Sequence, residues 1–317
     1  MAKYVLKRVL LLIPTMLLVC MTVFLLMRMV PSSAVDMVVY QYQKNGESIT
    51  YEEAERRLGL DKPVVEQFIN WMGGLVQGDL GNSLFKTKPV AETIRDQMPI
   101  SIELGLLTLV LTSLISIPLG LYCASHQGSL ADNVIRVISV ALMSFPIFWI
   151  GTLVLVYPAI WWGYTVPLKY VSFFADPAVN MRMFLVPAIV GAITQAGMQI
   201  RAVRTVTLDV MKQDFVRTAR AKGARENRVM YMHALRNAMI PIITMIGGSV
   251  GMIIGGNVIL ENMFNIPGIG QQMVSALNNR DYPLAQGCTV VFAVFVMVTN
   301  LIVDIAYKWF DPRVSLE

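Results

Sequence analysis

Charge is missing from six long stretches of this chain. Residues 9–27, 104–130, 137–168, 183–200 and 237–260 contain no Asp, Glu, Lys or Arg, and 284–306 contains only Asp304. About 20 apolar residues in a helix cross the hydrocarbon core of a bilayer, and one charge at its centre costs about 2.5–3.5 kcal/mol on insertion. Inside lipid the backbone has no water to bond, so such stretches must be helical. The pattern predicts an all-α, polytopic membrane protein with six transmembrane helices. Pro146 and Pro158 are expected to bend or end the third. Composition agrees: hydrophobic residues are 55% and charged residues 15% of the 317, against about 25% charged in an ordinary soluble chain. That excludes a disordered chain and disfavours a soluble enzyme.

The first run resembles a secretory signal in having Lys3, Lys7 and Arg8 before it. It is too long for one, and Arg28 and Pro31 follow it in place of a small-residue cleavage site. We read it as a retained span. Cys20, Cys123 and Cys288 all fall in apolar runs, which gives no disulfide framework and no metal-ligand spacing.

The excess of 26 Lys+Arg over 21 Asp+Glu raises nucleic acid as a partner, but the spans turn it into a question of sidedness. The stretch between the fourth and fifth spans carries Arg201, Arg204, Lys212, Arg217, Arg220, Lys222, Arg225, Arg228 and Arg236, against Asp209, Asp214 and Glu226. With six spans it shares a side with the basic N-terminus, and basic loops stay in the cytoplasm. Both termini are therefore expected to be cytoplasmic, the short tail 311–317 included. Residues 31–99 form an outer segment too long for the charge rule. Within it, Thr50 and Glu53 make a capping box for a short helix ending at Gly59. A second helix opens at Pro63, with Val64, Val65, Phe68, Ile69, Met72, Leu75 and Val76 at helical spacing. That face either packs on the membrane domain or receives an outer partner.

Catalytic patterns do not occur. The chain has no G-x-x-x-x-G-K-[ST], no H-E-x-x-H, no Cys/His cluster and no paired carboxylates within a span. Glu103, Arg136 and Asp304 sit near span ends, whereas ion-coupled transporters place ionisable groups at mid-membrane. Energy for uphill transport would have to come from outside the chain. No cofactor is expected on it, and a secondary transporter or integral membrane enzyme is the weaker reading.

The inner loop is built as a rigid elbow. Asp214 is a candidate N-cap for a helix from Phe215 to Lys222, Gly223 suits the left-handed residue that ends it, and a second helix from about Arg225 leads back to the membrane. Phe215, Val216 and Ala219 offer an apolar surface rimmed by arginines. Contact with anionic lipid is one reading; seating in another protein is the other, favoured by the small residues Ala219 and Gly223.

Thr218-Ala219-Arg220-Ala221-Lys222-Gly223, followed by His233-Ala234-Leu235-Arg236-Asn237-Ala238, resembles the EAA loop of bacterial ABC-importer permeases of the dipeptide, oligopeptide and nickel branch, in its first (B-type) subunit. The general loop has Glu-Ala-Ala where this chain has Arg217, Thr218 and Ala219, a departure typical of that branch. Further fragments resemble the same family: Gly78 through Leu84 with Pro89-Val90, Phe145-Pro146-Ile147-Phe148-Trp149, Glu261 through Gly270, and Arg280-Asp281-Tyr282-Pro283. The resemblance implies a type I ABC-importer permease: 1–30 with the first span, 31–99 as an extracytoplasmic helical insertion, and 100–310 as a five-helix core containing the coupling loop 201–240. It implies a second homologous permease, two ATPases holding ATP and Mg, a substrate-binding protein, and a place in the bacterial inner membrane. Phe215 through Gly223, with Arg225 and Arg228, would couple to an ATPase. Peptides are the implied cargo, with nickel, metal chelates or glutathione as alternatives.

Two sets of span residues complete the reading. Gly247, Gly251 and Gly255 repeat a G-x-x-x-G step that lets another helix approach closely, for pairing or gating. Gln195, Gln199 and Asn257 are amides placed within spans, either bonded between helices or lining a translocation path.

Overall fold

A computed structural model of the chain describes residues 2–29, 34–44, 46–85, 88–163, 165, 167 and 169–310, with side chains left out at 2–7, 227, 252–254, 256 and 306–310. The tail 311–317 lies outside the described residues. Regular structure among the described residues is helical throughout, apart from a lone antiparallel bridge between Asn82 and Pro89. Five helices are long and apolar enough to cross a membrane, and a bent pair would make a sixth. The chain is an all-α polytopic membrane protein with a helical insertion. It divides into two compact units, Met1–Ile100 with Pro267–Val298, and Ser101–Ile266 with Thr299–Glu317.

In the first unit, α1 (Ala2–Met29) exposes Leu10, Ile13, Leu17, Leu18 and Leu26, all more than half accessible, as a lipid-facing helix should. The insertion follows. α2 (Ala34–Lys44) buries Val35, Val38 and Val39 against Ala54 of α3 (Tyr51–Leu58). α3 opens on the predicted capping box, with Thr50 and Glu53 bonded reciprocally, and closes at Gly59 with φ +65°. α4 (Val64–Val76) turns Phe68 and Trp71 onto Phe24 of α1, at ring-centroid distances of 5.1 and 5.8 Å. Val64, Val65, Ile69 and Val76 stay exposed while Met72 and Leu75 are half-buried, so only part of the expected face packs within the chain.

α5 (Val90–Ser125) starts ahead of Pro99, where the charge pattern ends the outer segment; one unbroken helix carries the chain into its second span. Val90 and Ile94 form a core with Ile269 and Ala276 of α12 (Ile269–Asn279) and with Leu284, Ala285 and Cys288 of α13 (Tyr282–Phe310). Two separated fragments meet here. Asp281 accepts hydrogen bonds from the Ser83 hydroxyl, from the Leu84 backbone N–H at 3.2 Å and from that of Leu284 at 3.3 Å. One buried carboxylate thus ties the 78–84 loop to the start of α13.

The second unit is organised around α8 (Pro177–Met211), whose buried residues run from Asn180 to Val210. Asp176 caps it by accepting from the N–H groups of Ala178 and Val179 at 3.0 and 3.1 Å, with Pro177 in the first turn where its missing N–H costs nothing. Two small residues let neighbours approach. A Cβ at Gly197 would come within 2.4 Å of the Ser139 carbonyl oxygen, and one at Gly120 within 2.6 Å of Val203. The third charge-free stretch falls on a bent helix pair: α6 (Leu130–Ser144) and α7 (Ile147–Trp162) meet at 92°. Pro146 excludes helical geometry from the residue before it, and Phe145 is extended at φ −88°, ψ 127°. Pro158 lies inside α7 and does not end it; the helix runs on to Trp162 and is capped by Gly163.

Candidate functional site

α8 continues past Arg201 and stops at Lys212, where the chain turns into α9 (Asp214–Ala221). The cap of α9 differs from expectation by one residue. Gln213 holds the capping position without a side-chain bond, and Asp214 sits in the first turn, 3.3 Å from Arg217. A carboxylate there still faces the positive end of the helix dipole. The far end closes as predicted. Gly223 at φ +78° donates to the Arg220 carbonyl at 2.9 Å, and the Ala224 N–H reaches back to the Ala219 carbonyl at 3.2 Å. This paired closure needs a left-handed residue, and glycine takes that conformation without strain. Arg220 then grips Glu226 through two bonds of 2.8 and 3.1 Å across the turn. The single turn α10 (Glu226–Arg228) passes through a π-helical stretch, Val229–Ala234, into α11 (Leu235–Met263).

The residues of the expected contact surface differ in exposure. Val216 is fully buried, on the side of α9 turned toward the chain. Phe215 is 37% exposed. With Thr218, Ala219, Lys222, Arg228 and His233 it lines a notch of about 400 Å³ on the elbow. Phe215, Ala219 and Gly223 come together there as expected; His233, 18 residues beyond Phe215 in the chain, joins them because the π-helical stretch folds back beneath α9. Arg217 and Arg220 are engaged locally by Asp214 and Glu226. Among the described residues Lys222, Arg225 and Arg228 have no ion pair, which leaves their charge for whatever meets the elbow.

Behind the elbow lies a feature that the charge pattern misses. Asp132, 1% exposed, takes two bonds of 2.8 Å from Arg204 and a third of 3.0 Å from the Gly128 N–H. Ser129 caps α6 through the Asp132 N–H at 3.1 Å. The α5–α6 turn is thereby clamped to α8 just before α9 begins. Arg204 had counted as one more exposed cation of the loop. The available signal was Asp132 itself, a lone acid where apolar runs adjoin.

The other singled-out residues are placed as follows. Gln199 accepts from Ser116 at 2.8 Å and donates to Ser249 at 3.3 Å, linking α5, α8 and α11. Asn257 is buried and Gln195 half-buried. A Cβ at Gly247 would meet Val303 of the same chain at 2.9 Å, whereas none of the described atoms lies within 4 Å of one at Gly255. Gly251 lies on the same helix, between them.

An elbow of this build, under a bundle of apolar helices, invites comparison with known transport proteins. Residues 116–316 match the family described as binding-protein-dependent transport system inner membrane component, and residues 1–105 match the N-terminal domain of the same systems. The chain belongs to this family. It is similar over its full length, at 36% identity, to a putative peptide transport system permease protein of Brucella abortus (strain 2308), all of which it covers. An oligopeptide transport system permease protein of Bacillus subtilis (strain 168) is 34% identical over 99% of this chain and 100% of that protein. A di/tripeptide transport system permease protein of Pseudomonas aeruginosa (strain UCBPP-PA14) is 33% identical over 99% of each. Family membership makes the chain a transport subunit of an ABC-type importer and not an enzyme, which agrees with the missing catalytic patterns.

Proposed function

We propose that this permease forms half of the translocation pathway of a peptide importer and takes its energy through α9. The observation that carries the proposal is the elbow: a glycine-closed helix anchored by Val216, presenting a notch and unpaired cations. In this reading two ATPases bind ATP and Mg below the membrane, and one receives the segment from Phe215 through Gly223 with Arg225 and Arg228. A second homologous permease completes the path, and an outer binding protein supplies peptide. The names borne by the full-length relatives support the cargo.

The arrangement in the membrane follows. The α6–α7 pair counts as one broken span, giving six, with both termini and the basic elbow in the cytoplasm of a bacterial cell. Closure of the ATPase pair would move α9 as a lever, and the Asp132–Arg204 clamp would carry that motion into α8 and α6 together. Gln195 and Asn257 are candidates for the path lining. Gln199 spends its amide on Ser116 and Ser249, so it holds the helices that frame the path. Gly255 and Gly251 offer a close-packing face to the second permease, while Gly247 serves contact with α13.

The test is a cysteine at Thr218 in the assembled transporter, probed by crosslinking while peptide uptake is followed in vesicles. Crosslinks to an ATPase, and uptake that needs ATP and the binding protein, are expected. Uptake by the purified chain alone would replace the proposal with a self-sufficient transporter.

A further inference from the structure

A second cavity, of about 390 Å³, lies in the first unit at the end of α1 farthest from its N-terminus. Its apolar lining includes Phe24 and Trp71, and its polar lining includes Arg28, Lys62, Gln67 and Asn70. Arg28 follows directly on the charge-free run, so its guanidinium sits where hydrocarbon gives way to headgroups. It is held in place by uncharged groups. Its Nε donates to Gln67 Oε1 at 3.0 Å, and its Cζ lies 3.5 Å from the centre of the Phe24 ring. Gln67 is itself aimed, its Nε2 donating to the Lys62 carbonyl at 2.7 Å and the Leu60 carbonyl at 3.3 Å, which turns its oxygen to Arg28. Lys62 shares its charge with Glu66 at 2.8 Å. Among the described residues no carboxylate lies within 4 Å of Arg28. A preset, uncompensated cation with amides around it fits an anion with several acceptor oxygens.

We propose that this cavity binds the phosphate headgroup of an anionic phospholipid. Beside Arg28, Leu25, Leu26 and Met29 are exposed on α1. That surface gives acyl chains a bed next to the charge, which a soluble anion or a peptide carboxylate would not use. The site rests on α1 being a membrane span and is independent of any coupling to an ATPase.

The whole transporter is reconstituted in equal parts phosphatidylglycerol and phosphatidylcholine, extracted in mild detergent, and the lipids retained per particle are counted by native mass spectrometry. Neither ATP nor peptide is needed, so failure here leaves the importer reading standing. The wild type should retain phosphatidylglycerol selectively. Arg28→Gln should lower that retention about fivefold, the ratio expected for one cation at an anionic surface, and Arg28→Lys should keep most of it. Asn70→Asp, which puts an anion in the lining without touching Arg28, should also lower it and guards against misfolding of the first variant. Equal retention of the two lipids, or unchanged retention in both Arg28→Gln and Asn70→Asp, overturns the proposal. Washing with inorganic phosphate or with peptide should leave the lipid bound. Release by phosphate would make this a free-anion site, release by peptide would place it on the substrate route, and either overturns the lipid assignment.

Discussion

Asp132 and Arg204 form the contact whose loss should be felt most. Removing one partner of a pair this enclosed strands the other charge and costs about 3–5 kcal/mol. Asp132→Ala is therefore expected to lower the thermal midpoint of the purified transporter by several degrees, and Asp132→Leu with Arg204→Met to recover much of it. A double-mutant cycle on the midpoint measures the coupling, and additive losses would show that the clamp has no energetic meaning. Gly223 makes the second prediction. At φ +78° a side chain is strained, more so if branched at Cβ. Gly223→Val should leave the spans inserted while co-purification of the ATPases and peptide uptake fall together. The glycine was legible in sequence because its role is local, a helix end at a fixed spacing. The clamp was not, since Asp132 and Arg204 are 72 positions apart and nothing in spacing pairs them.

Helices meet at glycines of two kinds, and substitutions should separate them. Gly197 faces backbone, the Ser139 carbonyl at 2.4 Å from a built Cβ, and backbone cannot turn aside. Gly197→Val should destabilise the subunit itself by about 1–3 kcal/mol, the usual cost of overpacking, visible as lower yield of folded protein. Among the described residues nothing lies within 4 Å of a Cβ built at Gly255, so Gly255→Leu should leave the isolated subunit folded. The expected loss is recovery of the second permease on pull-down, and normal recovery would remove α11 from the pairing surface. The repeated glycine step on α11 marks a close-packing face, yet it cannot say that Gly247 is already taken by Val303. Periodicity identifies a groove; its occupant depends on how α13 crosses it. The break at Pro146 was readable as a bend, while the sequence alone did not say that the helix continues through Pro158.

For the assembled protein, the decisive expectation is dependence on other chains. Vesicles containing this subunit alone should show no peptide uptake. Adding the second permease, the ATPases and the binding protein should restore it, as measured by accumulation of a labelled peptide. Family, membrane character and absence of catalysis were all within reach of the amino-acid order. Hydrocarbon imposes a length and a charge rule that any spanning helix must obey, and both are written residue by residue. Caps and glycine closures at Thr50, Gly59 and Gly223 were equally accessible, because they involve neighbours within a few positions. Folding alone settled which face of α9 is spent on the chain's own interior, which arginine is silenced by a carboxylate, and which amide is consumed in bonding helices together. Each of those outcomes turns on two side chains far apart in sequence competing for one place in space, and burial resolves that competition only once the helices have packed.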